Sequence, residues 1–246
     1  MPTPDLSNIH LDQLEAMLVA GQRISDCYRV LNKSSSNVVA EVIRNQGDFF
    51  EWDHYPKGDV YDHTSHSQYY YHAHPPESRL DAYGREHGHF HTFVRPKGMP
   101  KSVKPAPVDD FKKPDGDNDA LSHLVAVSMD RAGLPIRLFT TNRWVTGETW
   151  YSSSDVEKIL QNFEMDLSYP SWPVNVWMTS LLTLFRPTIQ SLLVARDTRI
   201  EAWKTEHPDE NVFEDRKLEV TSFVEISVGE QISSVEQAIR DRSKTT

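Results

Sequence analysis

Apolar side chains recur at helical spacing near the start of the chain, at Leu11, Leu14, Leu18, Ile24, Cys27, Tyr28 and Leu31. A repeat of three and four residues places such side chains on one face of an α-helix. The pattern predicts an amphipathic helix from Leu11 to Leu31. Because Cys27 lies on the apolar stripe, it is expected to be a buried small hydrophobe rather than a nucleophile. Asn37 to Ile43 is predicted to form a second, short helix.

Four segments in the middle of the chain are rich in aromatic and β-branched residues and are bounded by turn residues, as strands are: 68–74, 87–94, 121–129 and 134–141. The last two are separated by a short run ending in Gly133, which can take the positive φ of a tight turn, so they are predicted to form a hairpin. Residues 47–67 show no period and are interpreted as an ordered loop that packs by its aromatic rings.

The C-terminal part of the chain returns to helical patterns. Ser154 and Glu157 have the spacing of a capping box, which predicts a helix from there to about Met165. Residues 173–204 are predicted to form one long helix that is kinked at Pro187. A strand over 218–228 and a helix over 230–240 complete the prediction.

These elements predict an α+β fold in which an antiparallel sheet, either open or barrel-like, is covered by helices. At 246 residues the chain is short enough for a single domain over 1–246. Its expected parts are the N-terminal helices in 1–45, a His-rich sheet region in 67–142 with a long loop at 95–119, helices in 154–206, and a final strand and helix in 218–240.

Net charge, apolar stretches and the cysteine count exclude several classes of function. The formal net charge is -10 and there is no basic stripe, which disfavours nucleic acid as a partner. The start of the chain lacks a secretory signal and the most apolar stretch, 174–195, is interrupted by polar residues, so a cytoplasmic protein without a membrane span is expected. Cys27 is the only cysteine, so any metal must be held by nitrogen and oxygen rather than by a cage of thiolates.

Histidine is the residue that suggests chemistry. Eight of the eleven histidines fall between positions 54 and 91: 54, 63, 66, 72, 74, 87, 89 and 91. Alternate side chains of a strand share a face, so His72 and His74 are predicted to point one way, and His87, His89 and His91 to point together. If the two strands pair, several imidazoles can converge on one ion.

The predicted metal ligands are therefore His72, His74, His87, His89 and His91. A shell of this kind suits iron, copper, zinc, nickel or manganese, and ligand type alone does not choose among them. Glu86 is the predicted carboxylate partner or catalytic base, Glu77 is a second nearby carboxylate, and His123 is a possible further ligand that could equally be a strand-edge histidine.

The pattern favours a metal-dependent enzyme, redox or hydrolytic, that acts on a small-molecule substrate. Tyr70 and Tyr71 are predicted to border the cofactor, and Arg143 to serve catalysis from the pocket wall. Three alternatives remain open. The first is a non-catalytic protein that binds or senses a metal or haem, and the second is a metal-free module whose histidines titrate near pH 6.5. The third is a hydrated His-rich surface.

Two resemblances add to this interpretation. His72, His74 and Glu77 resemble the first metal motif of cupin barrels, although the spacing to Glu77 is shorter and no second cupin motif follows. The segments YHAHP at 71–75, EHGHFH at 86–91 and the run from His123 to Trp150 resemble a bacterial family known only as a domain of unknown function. That resemblance implies a bacterial source and a single conserved domain, and it assigns no reaction to any residue.

Overall fold

The computed structural model describes residues 4–75, 85–109 and 111–243. Its α-helices in this part of the chain are α1 (Leu11–Asn32), α2 (Val38–Ile43), α3 (Arg143–Thr146), α4 (Ser153–Leu160), α5 (Trp172–Leu184), α6 (Arg186–Glu206) and α7 (Val228–Ser243). Its strands are β1 (Tyr55–Tyr61), β2 (Ser67–His72), β3 (Glu86–Val94), β4 (Ser122–Asp130), β5 (Pro135–Thr141) and β6 (Val220–Glu225).

The six strands form one antiparallel sheet in the order β1-β2-β3-β4-β5-β6, so each strand pairs with its neighbours in sequence. Within the described residues β1 and β6 do not pair with each other, and the sheet is open. The α+β prediction is confirmed, whereas the suggested barrel does not form.

The hydrophobic core lies between one face of the sheet and the helices. Tyr69, Phe90 and Leu138 point from the strands into this core and are fully buried. The Phe90 ring packs against Trp177 of α5, and the Tyr69 hydroxyl donates a 2.7 Å hydrogen bond to the Asn175 side chain on the same helix. The helices therefore cover one face, and the opposite face of the sheet is available for other chemistry.

Several predicted elements are confirmed. Helix α1 begins at Leu11 as expected and Cys27 is buried, and burial raises the pKa of its thiol to about 11. Asn37 caps α2 by accepting the backbone N–H of Ala40. The hairpin of β4 and β5 forms with Gly133 at φ 78°, because only a residue without a Cβ takes that conformation at little cost.

Other predictions are wrong. Part of the supposed loop over 47–67 is strand β1, which sequence alternation could not show because β1 is an edge strand with an irregular register. The capping residue of α4 is Ser152, whose side chain accepts the N–H of Asp155, and the helix ends at Leu160 instead of Met165.

The predicted long helix over 173–204 is two helices. Helix α5 ends at Leu184, Phe185 separates the pair, and α6 begins at Arg186. Pro187 does not kink a continuous helix; it occupies the first turn of α6, where its absent N–H is not needed. No helix among the described residues combines the length and the apolar character required to cross a membrane.

Candidate metal centre

The face of the sheet opposite the helices carries the histidines in two adjacent rows that run across the strands. The first row consists of His72, His89, Ser128, Arg137 and Glu225. The second consists of Tyr70, His91, Ala126, Phe139 and Phe223. Because side chains two residues apart on a strand share a face, this register places His72, His89 and His91 together.

Three imidazoles form the centre of the site. His72, His89 and His91 each present one ring nitrogen, and these three atoms all lie within 4.8 Å of one another. The Nε2 atoms of His72 and His89 are 2.7 Å apart. Nitrogen ligands about 2.0–2.1 Å from a tetrahedral ion are about 3.3 Å apart, so small side-chain rotations bring the three nitrogens to a common ion.

His91 supplies an independent indication. Its side chain is 1 % exposed, and its Nε2 atom has no hydrogen-bond partner among the described residues. A buried polar atom without a partner costs about 1–3 kcal/mol, so such atoms are rare and call for an explanation. A metal ion held with His72 and His89 would satisfy this nitrogen.

Glu86 fixes the orientation of His89. Its Oε1 atom lies 2.8 Å from Nδ1 of His89, and its Oε2 atom accepts a 2.8 Å hydrogen bond from the Ser128 hydroxyl. Burial by itself raises the pKa of Glu86, but the hydrogen bonds from His89 and Ser128 lower it below the ordinary value, so the group is a carboxylate. A carboxylate only accepts, so Nδ1 carries the hydrogen and Nε2 keeps the lone pair that binds metal.

His91 contacts a further buried histidine, His123, which in turn contacts Glu148. Nδ1 of His91 is 3.0 Å from Nε2 of His123, and the backbone N–H of His123 donates a 2.8 Å hydrogen bond to Glu148. Glu148 is fully buried, which raises the pKa of its carboxyl to about 7 against the opposing effects of Arg196 and the His123 N–H. His123 therefore supports a candidate ligand rather than joining the three.

Burial keeps the imidazoles of His72, His91 and His123 neutral. Burial, reinforced by the neighbouring histidines, lowers the pKa of His72 and holds that of His91 well below its ordinary value. Burial and the charge of Arg196 lower the pKa of His123 to about 3. The neutral imidazole is the form that binds metal, so the fold presents His72 and His91 ready to ligate.

The other two predicted ligands, His74 and His87, do not belong to this group of three. The His74 ring is 4.8 Å from that of His72 and 5.0 Å from that of His89, at the edge of the group. The structure does not bring His87 to it: a register shift between Glu86 and Gly88 turns His87 to the other face, where it hydrogen-bonds the Tyr71 hydroxyl at 2.6 Å. The expectation that His87, His89 and His91 point together is therefore wrong, because the bulge breaks the alternation.

Among the other predicted site residues, some lie near the three histidines and others do not. Tyr70 lies beside the group, with its ring 5.2 Å from that of His91, whereas Tyr71 faces the core. Arg143 does not reach the histidines; it pairs with Glu214 and donates to the backbone carbonyl of Glu148. Glu77 lies outside the described residues.

A cavity of about 220 Å³ opens beside the three imidazoles. His72, His74, Glu86, His89 and His91 form one wall of it. The remainder is lined by Arg137, Phe139, Thr141, Val145, Glu219, Val220 and Phe223. The site can therefore offer an ion, an apolar wall and a few polar groups to a small molecule.

The residues of this second wall were not predicted as site residues. Thr141 ends β5 and Glu219 precedes β6, so 78 positions of sequence separate two residues that adjacent strands bring together. Burial raises the pKa of the Glu219 carboxyl, partly offset by the charge of His89. Thr141 gave no local signal of its own, because β5 also contains the polar residues Arg137 and Thr140.

Comparison with known proteins gives one match. A family model described as a domain of unknown function, DUF6969, matches residues 18–226. No curated protein and no solved structure matches the chain. The matched segment includes all three histidines of the centre and both walls of the cavity.

Proposed function

We propose that this chain, which belongs to the DUF6969 family, binds one transition-metal ion through His72, His89 and His91 and catalyses a redox or hydrolytic reaction of a small molecule at that ion. The observation that carries the proposal is the convergence of three ring nitrogens within 4.8 Å on a buried face of the sheet. Glu86 supports it by fixing the tautomer of His89, as carboxylates do for metal-binding histidines.

The donor set matches a catalytic site better than a closed structural one. Three protein ligands leave coordination positions for water or substrate, whereas structural zinc sites generally use four. When bound, the ion would supply Lewis acidity or redox chemistry to a coordinated molecule. All-nitrogen ligation is compatible with zinc, iron(II), copper(II), nickel or manganese.

The cavity supports a small substrate. Its volume of about 220 Å³ is below the roughly 300–1,000 Å³ of pockets that hold drug-sized ligands, and it adjoins the ligand group directly. This size favours a mononuclear ion with a small organic molecule over haem. A purely storage-type metal protein would not require the apolar wall formed by Phe139, Val145 and Val220.

Elemental analysis of protein purified without a histidine tag tests the proposal. We expect about one equivalent of a transition metal per chain, and we expect His89→Ala and His91→Ala each to remove most of it. His87→Ala is the matched control, since His87 belongs to the same strand but faces away. His63→Ala is a second control, at an exposed position.

The controls make the outcome specific. Equal loss of metal in His87→Ala and His91→Ala would indicate general unfolding or adventitious binding, and metal-free protein after growth with each candidate metal would contradict the proposal. Optical spectra of the loaded protein then separate a coloured iron or copper centre from colourless zinc.

A further inference from the structure

The wall of the cavity formed by β5, α3 and β6 contains two adjacent polar side chains. Thr141 pairs with Val220 across β5 and β6, and the backbone N–H of Asn142 donates a 2.8 Å hydrogen bond to the carbonyl of Glu219. Thr141 and Glu219 are thus neighbours, and both line the cavity that the three histidines border.

Neither polar group is satisfied by the protein. Thr141 is 2 % exposed, and its hydroxyl has no hydrogen-bond partner in the described part of the chain. The half-buried Glu219 carboxylate makes no hydrogen bond or ion pair with any residue that the structure describes. Since an unpaired polar group that is removed from water is costly, the buried Thr141 hydroxyl in this wall indicates a ligand, and the Glu219 carboxylate lines the same cavity.

The other charged groups of the cavity have protein partners. Arg137 donates from Nε and Nη2 to Glu225 at 3.0 and 2.8 Å, and Glu86 accepts hydrogen bonds from His89 and Ser128. Glu219 is consequently the charge whose partner a ligand would supply. An ionised carboxylate only accepts hydrogen bonds, so the complementary ligand group is an N–H or O–H donor.

We propose that Glu219 and Thr141 select the ligand: the cavity takes small uncharged or cationic molecules that carry a hydroxyl or amino group, and it rejects carboxylates at that position. The inference rests on the proposed function, since the histidine-bound ion would hold the other end of the same molecule. The ion accepts an electron-pair donor, and the Glu219 wall accepts a hydrogen-bond donor.

Protein loaded with cobalt(II) provides the test, because visible absorption of cobalt reports each ligand that enters its coordination sphere. The probes are 4-methylpyridine, 4-(hydroxymethyl)pyridine, 4-(aminomethyl)pyridine and pyridine-4-carboxylate. All four bind metal through the ring nitrogen, and the para substituent cannot reach the same ion. We expect the hydroxymethyl and aminomethyl probes to bind about tenfold more tightly than 4-methylpyridine, and the carboxylate about tenfold more weakly.

Two variants assign that selectivity to residues. Glu219→Gln keeps the size of the side chain and removes its charge, so we expect the preference for aminomethyl over carboxylate to fall at least about tenfold. Thr141→Val keeps the shape and removes the hydroxyl, and we expect it to weaken the hydroxymethyl probe severalfold. Glu230→Gln, at an exposed position on α7, is the control and should change neither ratio.

The outcomes distinguish this inference from the proposed function. Full cobalt loading with unchanged probe ratios in Glu219→Gln would overturn the inference and leave the metal site intact. Failure to bind cobalt or any other candidate metal would overturn the proposed function. In that case the same probes are compared by their effect on the melting temperature, and equal shifts for all four would overturn the inference as well.

Discussion

At the scale of single residues, two of the three candidate ligands are oriented by a contact at their second ring nitrogen. Nδ1 of His89 donates to Glu86, and Nδ1 of His91 faces His123. His89 and His91 are therefore each held in one orientation, which leaves the Nε2 atom of each for an ion. Ligands positioned in this way lose little conformational freedom on binding, and loss of such a supporting residue typically lowers metal affinity about 10–100-fold.

Glu86→Gln tests this support. Glutamine can still accept from His89 but lacks the negative charge that strengthens the hydrogen bond, so we expect metal affinity to fall about tenfold while the stoichiometry stays at one. Competition with a chelator of known affinity measures the change. Ser128→Ala, which removes only the hydrogen bond to the other oxygen of Glu86, should have a smaller effect, and an equal affinity in all three proteins would contradict the supporting role.

Glu148 gives the protein a pH-dependent stability. Its folded pKa of about 7 lies above the ordinary value of 4.5, so its contribution is fully present below pH 4.5 and is lost as pH rises through 7. Glu148→Gln cannot ionise. In the presence of chelator we expect it to exceed the wild type by roughly 1 kcal/mol at pH 5 and by roughly 3 kcal/mol at pH 8.

Denaturant unfolding of both proteins at the two pH values measures this difference, with Glu230→Gln as the exposed control. A difference that stays constant from pH 5 to pH 8 would show that Glu148 does not titrate in this range.

At the scale of elements, the register of β3 decides which histidines meet. The shift between Glu86 and Gly88 places Glu86 beside His89 and moves His87 to the opposite face. Gly88 allows the shift, because a Cβ at this position would lie 2.5 Å from the Tyr71 hydroxyl oxygen and would clash with the backbone carbonyl of His72. The close approach of β2 and β3 at Gly88 thus places His72 and His89 side by side.

Gly88→Ala is expected to separate these strands. Overpacking of this kind costs about 1–3 kcal/mol, which corresponds to a fall in melting temperature of roughly 2–12 °C for a domain of this size. Metal affinity should fall with it, since His72 and His89 lie on the two strands. Gly229→Ala is the matched control because its added Cβ meets nothing within 4 Å, and a Gly88→Ala protein as stable as that control would refute the role of Gly88.

The sequence predicts what depends on local pattern. Helix α1 and the hairpin of β4 and β5 follow from apolar period and from Gly133, and both are confirmed. The bulge at Gly88 could not be predicted, because strict alternation is the assumption that it violates. Thr141 and Glu219 could not be paired either, since their proximity arises from the pairing of β5 with β6 across a long stretch of sequence.

At the scale of the whole molecule, the two faces of the sheet have different roles: one packs against the core and the other carries the candidate site. The apolar core lies between the helices and one face, whereas the imidazoles and the cavity lie on the other. The histidines account for little of the core, so the fold does not require metal in order to form. We therefore expect a bound metal to add to a stability that already exists.

Removal of metal tests this separation. A ligand at about a hundred times its Kd stabilises the folded state by about 2.7 kcal/mol, so we expect a chelator to lower the melting temperature by roughly 5–10 °C. The far-ultraviolet circular dichroism at 25 °C should not change, because the core remains. Loss of helical signal on metal removal would contradict the separation, and an unchanged melting temperature would contradict the coupling.

The single, deeply placed thiol of Cys27 gives the molecule a practical property. With its pKa near 11 and its side chain buried in the core, we expect it to react very slowly with maleimide reagents at neutral pH. A cysteine introduced in place of Phe223, which is 54 % exposed beside the cavity, would be the sole labelling position on the protein. A nitroxide attached there would report, through paramagnetic broadening, whether manganese(II) or copper(II) enters next to it.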